Sequence, residues 1–427
     1  MKPFPIPLIV SFFFATLLTA VEPVTIDENP PGHFQLLVDG EPFFVKGVGG
    51  TNNLPMLKEL GGNTFRTWGA EQLENKIDGL PLLDYAQSLG LKVVPGIWIG
   101  HERHGFNYGD PAQIRKQREH VRDTVRKYKD HPAILVWGLG NEMEGPISDG
   151  SNIRIWEELN ELARIIKEED PNHPVMSVIA GIGGSKVANV IEYYPEIDIL
   201  GVNAYASASG VGEGLIKQGW EKPFMLTEFG PVGHWEVAHA PWGAPIEPTS
   251  QEKAASYFVT HKRVVEEGEG KCLGTFAFLW GNKQETTATW YGMFLASGER
   301  LGSADAMSYA WDGQFPPNRA PKLLKLESGA DQARIRAGSS HTATVTVEDP
   351  DGDTLEYEWI VVAESTDRQT GGDHEAAPPS FPELTRNAVG PEITFQAPRK
   401  SGAYRLFVYV RDGANGAATA NFPFYVE

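Results

Sequence analysis

Residues 134–144 read ILVWGLGNEME. The first four, from Ile134 to Trp137, are apolar without interruption, a run too short for a helix and lacking its period. A strand buried on both faces reads this way, as in parallel sheets. Gly138 and Gly140 then loosen the chain, and Asn141 and Glu142 stand where the strand should end. In barrels of parallel strands, a carboxylate just past a strand's C-terminal end lies on the face that carries the chemistry. The competing reading makes Asn141 the cap of a following helix and Glu142 a solvated first-turn acid.

Residues 223–230, PFMLTEFG, repeat the same grammar: apolar Phe224, Met225 and Leu226, then Glu228, then glycine. Two strand-end glutamates far apart in sequence fit a pair facing each other across the mouth of one barrel. Paired carboxylates flanking a bond are the machinery of glycoside hydrolysis, one giving a proton and the other attacking the anomeric carbon. WGLGNE and LTEFG resemble the acid/base and nucleophile motifs of the retaining β-glycosidases of clan A. Within that clan they are most similar to the catalytic domain of glycoside hydrolase family 2.

Outward from these two segments, strand and helix signals alternate as βα units do. After a hairpin at 34–46 with an Asp39-Gly40 turn, strands are expected at 45–48, 63–68, 92–99, 134–141, 175–179, 197–203, 224–228 and 274–280. Amphipathic helices are expected at 112–128 and 155–168, with a capping box at Thr249 and Glu252 opening another. Eight such units over roughly 280 residues predict an α/β fold, a (β/α)8 TIM barrel. The connections 229–248 and 281–302 are long for this architecture, which points to binding loops. Their His234, Trp235, Trp242, Trp290 and Tyr291 read either as sugar-stacking groups or as packing within the loops.

The resemblance assigns further roles. Arg66, in NTFRTWG with Trp68, matches an arginine that hydrogen-bonds the nucleophile and holds it ionised. Asn141 matches the clan's Asn-Glu pair, whose amide meets the sugar 2-hydroxyl. Asn203 and Tyr205, in DILGVNAY, match the strand-6 pattern, with Tyr205 bonding the nucleophile. Trp280 resembles the platform under the reactive sugar. His101 and His104 follow strand 3, where the clan places a sugar-contacting histidine; the loop's own structure is their other reading. His101-Glu102-Arg103-His104 is one residue short of the H-E-x-x-H zinc motif. Glu228 is then the nucleophile and Glu142 the acid/base, with Arg66, Trp68, His101, His104, Asn141, Asn203, Tyr205, Trp235 and Trp280 binding substrate. No metal and no cofactor are expected.

The rest of the chain fits a secreted two-part protein. Residues 1–20 read as a signal peptide, with Lys2 ahead of the apolar run 7–18, leaving a barrel with its hairpin at 21–314. Only about twenty residues then precede strand 1, too few for the N-terminal domains of family 2, which favours a polysaccharide-directed relative. Residues 315–321, rich in proline, read as a linker. Residues 322–427 show short alternating strands, the pattern of a β-sandwich. EDPDGDTLEYEW, 348–359, resembles the early strands of polycystic-kidney-disease and cadherin-like immunoglobulin domains. Asp349, Asp351 and Asp353 read as a calcium site or a turn; an EF-hand fails because Thr354 and Ile360 stand where glycine and glutamate are needed. Cys272 is the only cysteine among 427 residues and reads as a buried, inert thiol.

Acids outnumber bases by 56 to 37, a net charge of −19, which argues against a nucleic-acid or anionic-membrane partner. A carbohydrate partner is expected instead. The implied function is retaining hydrolysis of a β-linked polysaccharide or oligosaccharide outside the cell or in the periplasm. Transglycosylation by the same residues, or a non-catalytic carbohydrate-binding barrel, are the alternatives.

Overall fold

The computed structural model describes residues 23–145, 148–268, 270–386 and 389–427; the expected signal peptide lies outside them. Barrel strand 1 is Val45–Gly49 and strand 2 is Thr64–Arg66. Strand 3 is broken at Pro95 into Lys92–Val94 and Gly96–Ile97. Strands 4 to 8 are Trp137–Asn141, Val175–Ala180, Ile199–Asn203, Phe224–Phe229 and Cys272–Ala277. All neighbours pair in parallel, and the two pieces of strand 3 stand at opposite ends of the sheet order, so the barrel closes through that strand. α-Helices follow the strands, among them Pro111–Tyr128, Ile153–Glu169, Ser250–Glu267 and Gly302–Asp312.

Two apolar layers hold the barrel. Val45, Val94, Val136, Met176, Ile199, Met225 and Phe276 point inward and fill the lumen. Val24, Leu36 and Val38 from the N-terminal strands join the same cluster, so the hairpin plugs one end of the barrel. The outward faces pack against the helices, with Trp137, Leu139, Trp156 and Leu162 all buried. Because strand residues are needed on both faces, 134–139 are apolar or glycine throughout rather than alternating. The Asp39-Gly40 turn has both φ values positive, as expected, and Thr249 and Glu252 form the reciprocal capping box.

The second body is a pair of sheets enclosing their own core of Trp359, Val361, Leu406, Val408, Phe422 and Phe424. One sheet pairs Lys322–Ser328, Ser340–Glu348 and Glu392–Gln396. The other is built on Glu356–Ala363, Gly402–Arg411 and Gly416–Val426. It does not stop at the linker: Arg300 and Leu301, which precede the last barrel helix, pair with Gly416 and Ala417. Buried Arg405 donates to the carbonyl of Pro245 at 2.6 Å and to Glu364 at 2.7 Å. Asn421 donates to buried Glu247 at 2.7 Å, and the Thr419 amide donates to Ser250 at 3.0 Å. Residues 315–321 connect two bodies that share a packed, hydrogen-bonded interface. Trp242 packs into this interface against Tyr425, with ring centroids 5.8 Å apart, so it serves the junction rather than a sugar.

The three aspartates of 349–353 divide. Asp349 accepts the amides of Asp351 and Asp353, which shapes the turn, and Asp351 pairs with Arg319. Asp349 and Asp353 instead approach Asp412, their ligand atoms all within 4.8 Å of one another. No described helix is long and apolar enough to cross a membrane.

Candidate active site

Strand 4 pairs with strand 5 in register through Gly138, then shifts before Asn141. Gly140 takes φ +70 and Glu142 takes φ +52, a left-handed conformation that is uncommon outside glycine. The bulge and turn swing Glu142 over the barrel mouth. Two backbone bonds hold it, from its amide to the carbonyl of Val178 (2.9 Å) and from the Gly145 amide to its own carbonyl (2.9 Å). Buried Glu144 fixes the turn from behind by accepting the Ala180 amide at 2.7 Å, with Lys186 3.5 Å away. Glu228 comes from strand 7, where the register against strand 6 also shifts, after Val202.

The two carboxylates sit in unlike surroundings. Glu228 accepts Trp68 Nε1 at 3.0 Å, Tyr205 Oη at 3.1 Å and Arg66 Nη1 at 3.4 Å. Arg66 is held rigid by the Thr227 carbonyl (2.9 Å) and by Asn141 Oδ1 (2.8 Å). Burial lowers its guanidinium pKa, and the charges of Glu228 and Glu142 oppose that shift. Glu142 has a single side-chain partner, Asn203 Nδ2 at 2.8 Å. Burial first, and the charge of Glu228 second, push its carboxyl up to about 7. Asn203 also accepts Thr227 Oγ1 at 2.8 Å and lies 3.5 Å from Arg66, so it bridges the two acids' networks. Tyr205 is raised well above the ordinary phenol range by burial and by Glu228, so it stays a hydrogen donor.

Above both carboxylates opens a cavity of about 670 Å³, lined by Trp68, Trp98, Asn141, Asn203, Tyr205, Trp235 and Phe278 among others. Trp235 is 57% exposed and meets Tyr205 edge-on at 5.8 Å, a free aromatic face at the mouth. Of the residues the sequence singled out, Glu142, Glu228, Trp68, Asn141, Asn203, Tyr205, His234 and Trp235 line the cavity, and Arg66 reaches Glu228 and Asn141 from below.

Trp280, His101 and His104 do not line it, and neither do Trp242, Trp290 and Tyr291. Trp280 is 1% exposed and packs edge-on against Phe294 at 4.8 Å, so it is core. The apolar run 274–280 outlasts its strand, which ends at Ala277, and Phe278 and Leu279 are the residues that line the cavity. His101 is buried under Trp98, rings stacked at 4.7 Å, and burial pushes its pKa down to about 4; Trp98 faces the cavity in its place. His104 turns aside to Asp373 at 3.1 Å. Trp290 and Tyr291 are buried, with Tyr291 against Tyr205 at 5.3 Å.

Sequence reasoning also missed Glu236, Lys283 and Glu285, and residues 369–373 of the second body, all of which line the cavity. The length of the 229–248 and 281–302 loops was the signal for the first three; nothing local marked the last. Among the described residues, the group of three acids close enough to share a metal is Asp349, Asp353 and Asp412, outside this cavity.

Comparison with known proteins converges on the same segment. Residues 54–233 match the family description "Glycosyl hydrolases family 2, TIM barrel domain". The chain is 25% identical over 217 residues to a probable mannan endo-1,4-β-mannosidase F of Aspergillus oryzae, covering 41% of this chain and 46% of that protein. It is 24% identical over 213 residues to the β-glucuronidase of Sus scrofa, covering 45% of this chain and 29% of the relative. The chain thus spans less than half the length of these curated relatives. The solved structure of Bacteroides uniformis β-glucuronidase 2, covalently bound to cyclophellitol-6-carboxylate aziridine, superposes with a TM-score of 0.52. That match has 15% identity and covers 95% of this chain and 48% of the other, a likeness of fold. With two strand-end glutamates at its mouth, the barrel of this chain is similar to the TIM-barrel domain of glycosyl hydrolases family 2 from the first barrel helix past Glu228.

Proposed function

We propose that this protein is a retaining β-glycosidase that cleaves neutral β-linked glycans by double displacement, with Glu228 as nucleophile and Glu142 as acid/base. The observation that carries the reading is the unequal setting of two neighbouring carboxylates. Glu228 is ringed by three hydrogen-bond donors, while burial and the neighbouring charge of Glu228 push Glu142 up to about 7. Environments that separate two titrating groups assign their roles.

In the first step a Glu228 oxygen attacks the anomeric carbon, and the bond to the leaving oxygen breaks as Glu142 gives that oxygen its proton. An ester between the sugar and Glu228 results. Glu142, now a carboxylate, takes a proton from water, whose oxygen attacks the same carbon and frees Glu228. Two inversions leave the β configuration unchanged. Arg66, Trp68 and Tyr205 hold the attacking carboxylate in place, so little reorganisation is needed at the moment of reaction. Asn141 and Asn203 supply amides at the level of the sugar hydroxyls.

The neutral substrate follows from charge. Lys283 is the lysine of the lining and is already paired with Glu285 at 2.7 Å. His234 is pushed down to about 4 by burial, so it is uncharged near neutral pH. Even with Glu142 protonated, Glu228, Glu236, Glu285 and Asp373 make the wall acidic, which disfavours a sugar carrying its own carboxylate. Of the relatives' substrates, mannan fits this wall and a glucuronide does not. The leader-like run at residues 7–18 agrees with action outside the cytoplasm on such a polymer.

The test is a panel of 4-nitrophenyl β-glycosides (mannoside, glucoside, galactoside, glucuronide) together with soluble mannan and β-glucan. NMR of the first-formed product gives its configuration. Turnover of a neutral member with the β-anomer appearing first is expected. An α-anomer first would end the double-displacement reading, and fastest turnover of the glucuronide would end the neutral-sugar reading.

A further inference from the structure

Residues 369–373, QTGGD, belong to the second body by sequence, yet they line the same cavity as Glu142 and Glu228. The loop is pinned on several sides by the barrel. Arg103 Nη2 lies 3.3 Å from Asp373 Oδ1 and 3.5 Å from the Gly371 carbonyl, and His104 Nε2 is 3.1 Å from Asp373 Oδ2. Lys283 donates to the Gly372 carbonyl at 2.7 Å. At the loop's base, buried Glu375 accepts the amides of Thr286 (2.6 Å) and Gln369 (3.1 Å), and Arg368 donates to Thr286 at 2.8 Å.

The two glycines are there because of these pins. Gly371 and Gly372 have φ +68 and +75. A Cβ at Gly371 would stand 2.5 Å from Arg103 Nη1, and one at Gly372 would stand 3.0 Å from Lys283 Nζ. Fixing an exposed polar loop costs backbone entropy at every residue. Rigid placement of exposed polar groups beside a reaction centre is how loops carry recognition.

We propose that this loop is the leaving-group side of the substrate site, contributed by the second body, and that it takes a saccharide rather than a small alcohol as leaving group. Gln369 and the loop's backbone groups face the departing sugar's hydroxyls, and Asp373 is the positioning residue that holds the loop on Arg103 and His104. The side follows from Arg103 and His104, which grip Asp373 from the turn after strand 3, the neighbour of the strand 4 that leads to the proton donor Glu142; the nucleophile's partners Arg66, Trp68 and Tyr205 come from strands 2 and 6 and the turns after them. A proton donor faces the departing oxygen, so what neighbours it faces the leaving group.

This inference rests on the hydrolase reading above, and its test separates the two. Full-length wild type, Asp373→Ala, Asp373→Glu and Gln369→Ala are assayed on two substrate types. One is the best 4-nitrophenyl glycoside of the panel; the other is the β-1,3- or β-1,4-linked tetrasaccharide of the same sugar that wild type cleaves. Thermal unfolding is recorded alongside. The expected result is a fall of about tenfold in the tetrasaccharide-to-nitrophenyl ratio of kcat/KM for Asp373→Ala, mostly through KM, with partial recovery in Asp373→Glu. Gln369 is exposed, so Gln369→Ala keeps its fold and should lower the same ratio by about threefold. Should Asp373→Ala not fold, Gln369→Ala decides. A ratio within about twofold of wild type in the folded variants overturns the loop's role while leaving the hydrolase standing. A wild type inactive on every substrate overturns both.

Discussion

Glu142 and Glu228 are the same residue type a few ångströms of network apart, and the protein makes them different with what it puts around them. An ordinary glutamate loses its proton near pH 4, at about 4.3; Glu142 keeps its own up to about 7. In the proposed role of proton donor it must be protonated in the free protein, so kcat/KM should fall as pH rises through about 7. With a dinitrophenyl leaving group, which needs no proton, that alkaline fall should vanish in a pH–rate profile. Glu142→Ala should keep the first step with such a substrate, and azide should rescue it to a glycosyl azide of β configuration. Glu228→Ala should lose turnover with every leaving group, and azide should then give the α-azide, read by NMR. A β-azide from Glu228→Ala would reverse the two roles. Both glutamates were legible in the sequence because a strand-end acid after a doubly buried run has few structural reasons to be there.

At the scale of elements, the aim of Glu142 depends on a bulge and a left-handed turn. Gly140→Ala meets both obstacles: its φ is +70, and an added Cβ would lie 2.8 Å from Met143 Cγ. The substitution should destabilise by about 1–2 kcal/mol and, by moving the acid, reduce kcat/KM about tenfold to a hundredfold, checked by thermal unfolding and steady-state rates. The barrel's order of elements was readable because doubly buried strands and amphipathic helices have different periods. Where each strand stops was not. Residues 274–280 are apolar on both sides of the sheet's edge, so no pattern separates Phe278, which faces the cavity, from Trp280, which faces the core. His101 misled in the same way: a histidine at a strand end looks like a ligand until Trp98 is seen to cover it.

For the molecule as a whole, the proline-rich segment at 315–321 invites the reading that the second body is dispensable. The contacts between the two bodies argue against it. Arg405, Asn421 and Thr419 bond to residues 245–250, the second sheet continues into Arg300 and Leu301, and residues 369–373 wall the cavity. A chain ending at Gln314 should therefore lose activity on every substrate and leave Glu247 and Trp242 uncovered, seen as aggregation or a lowered melting temperature. Calorimetry of the full chain should give one cooperative transition rather than two. No local pattern could have announced this, because each contact joins segments that the sequence keeps far apart.

The pairing of Arg300–Leu301 with Gly416–Ala417 also sets an order in time. Arg300 meets the carbonyl of Asn415, 115 positions later in the chain, so during N-to-C-terminal synthesis the barrel is made long before the strand that finishes it. Until then an unpaired edge is exposed beside the last helix, and before residues 369–373 are made the cavity lacks the wall they supply. The newborn chain thus gains this side of the cavity only after residues 369–373 and 416–417 have been made, and a chain cut short before them yields a barrel holding both glutamates but no finished place to use them.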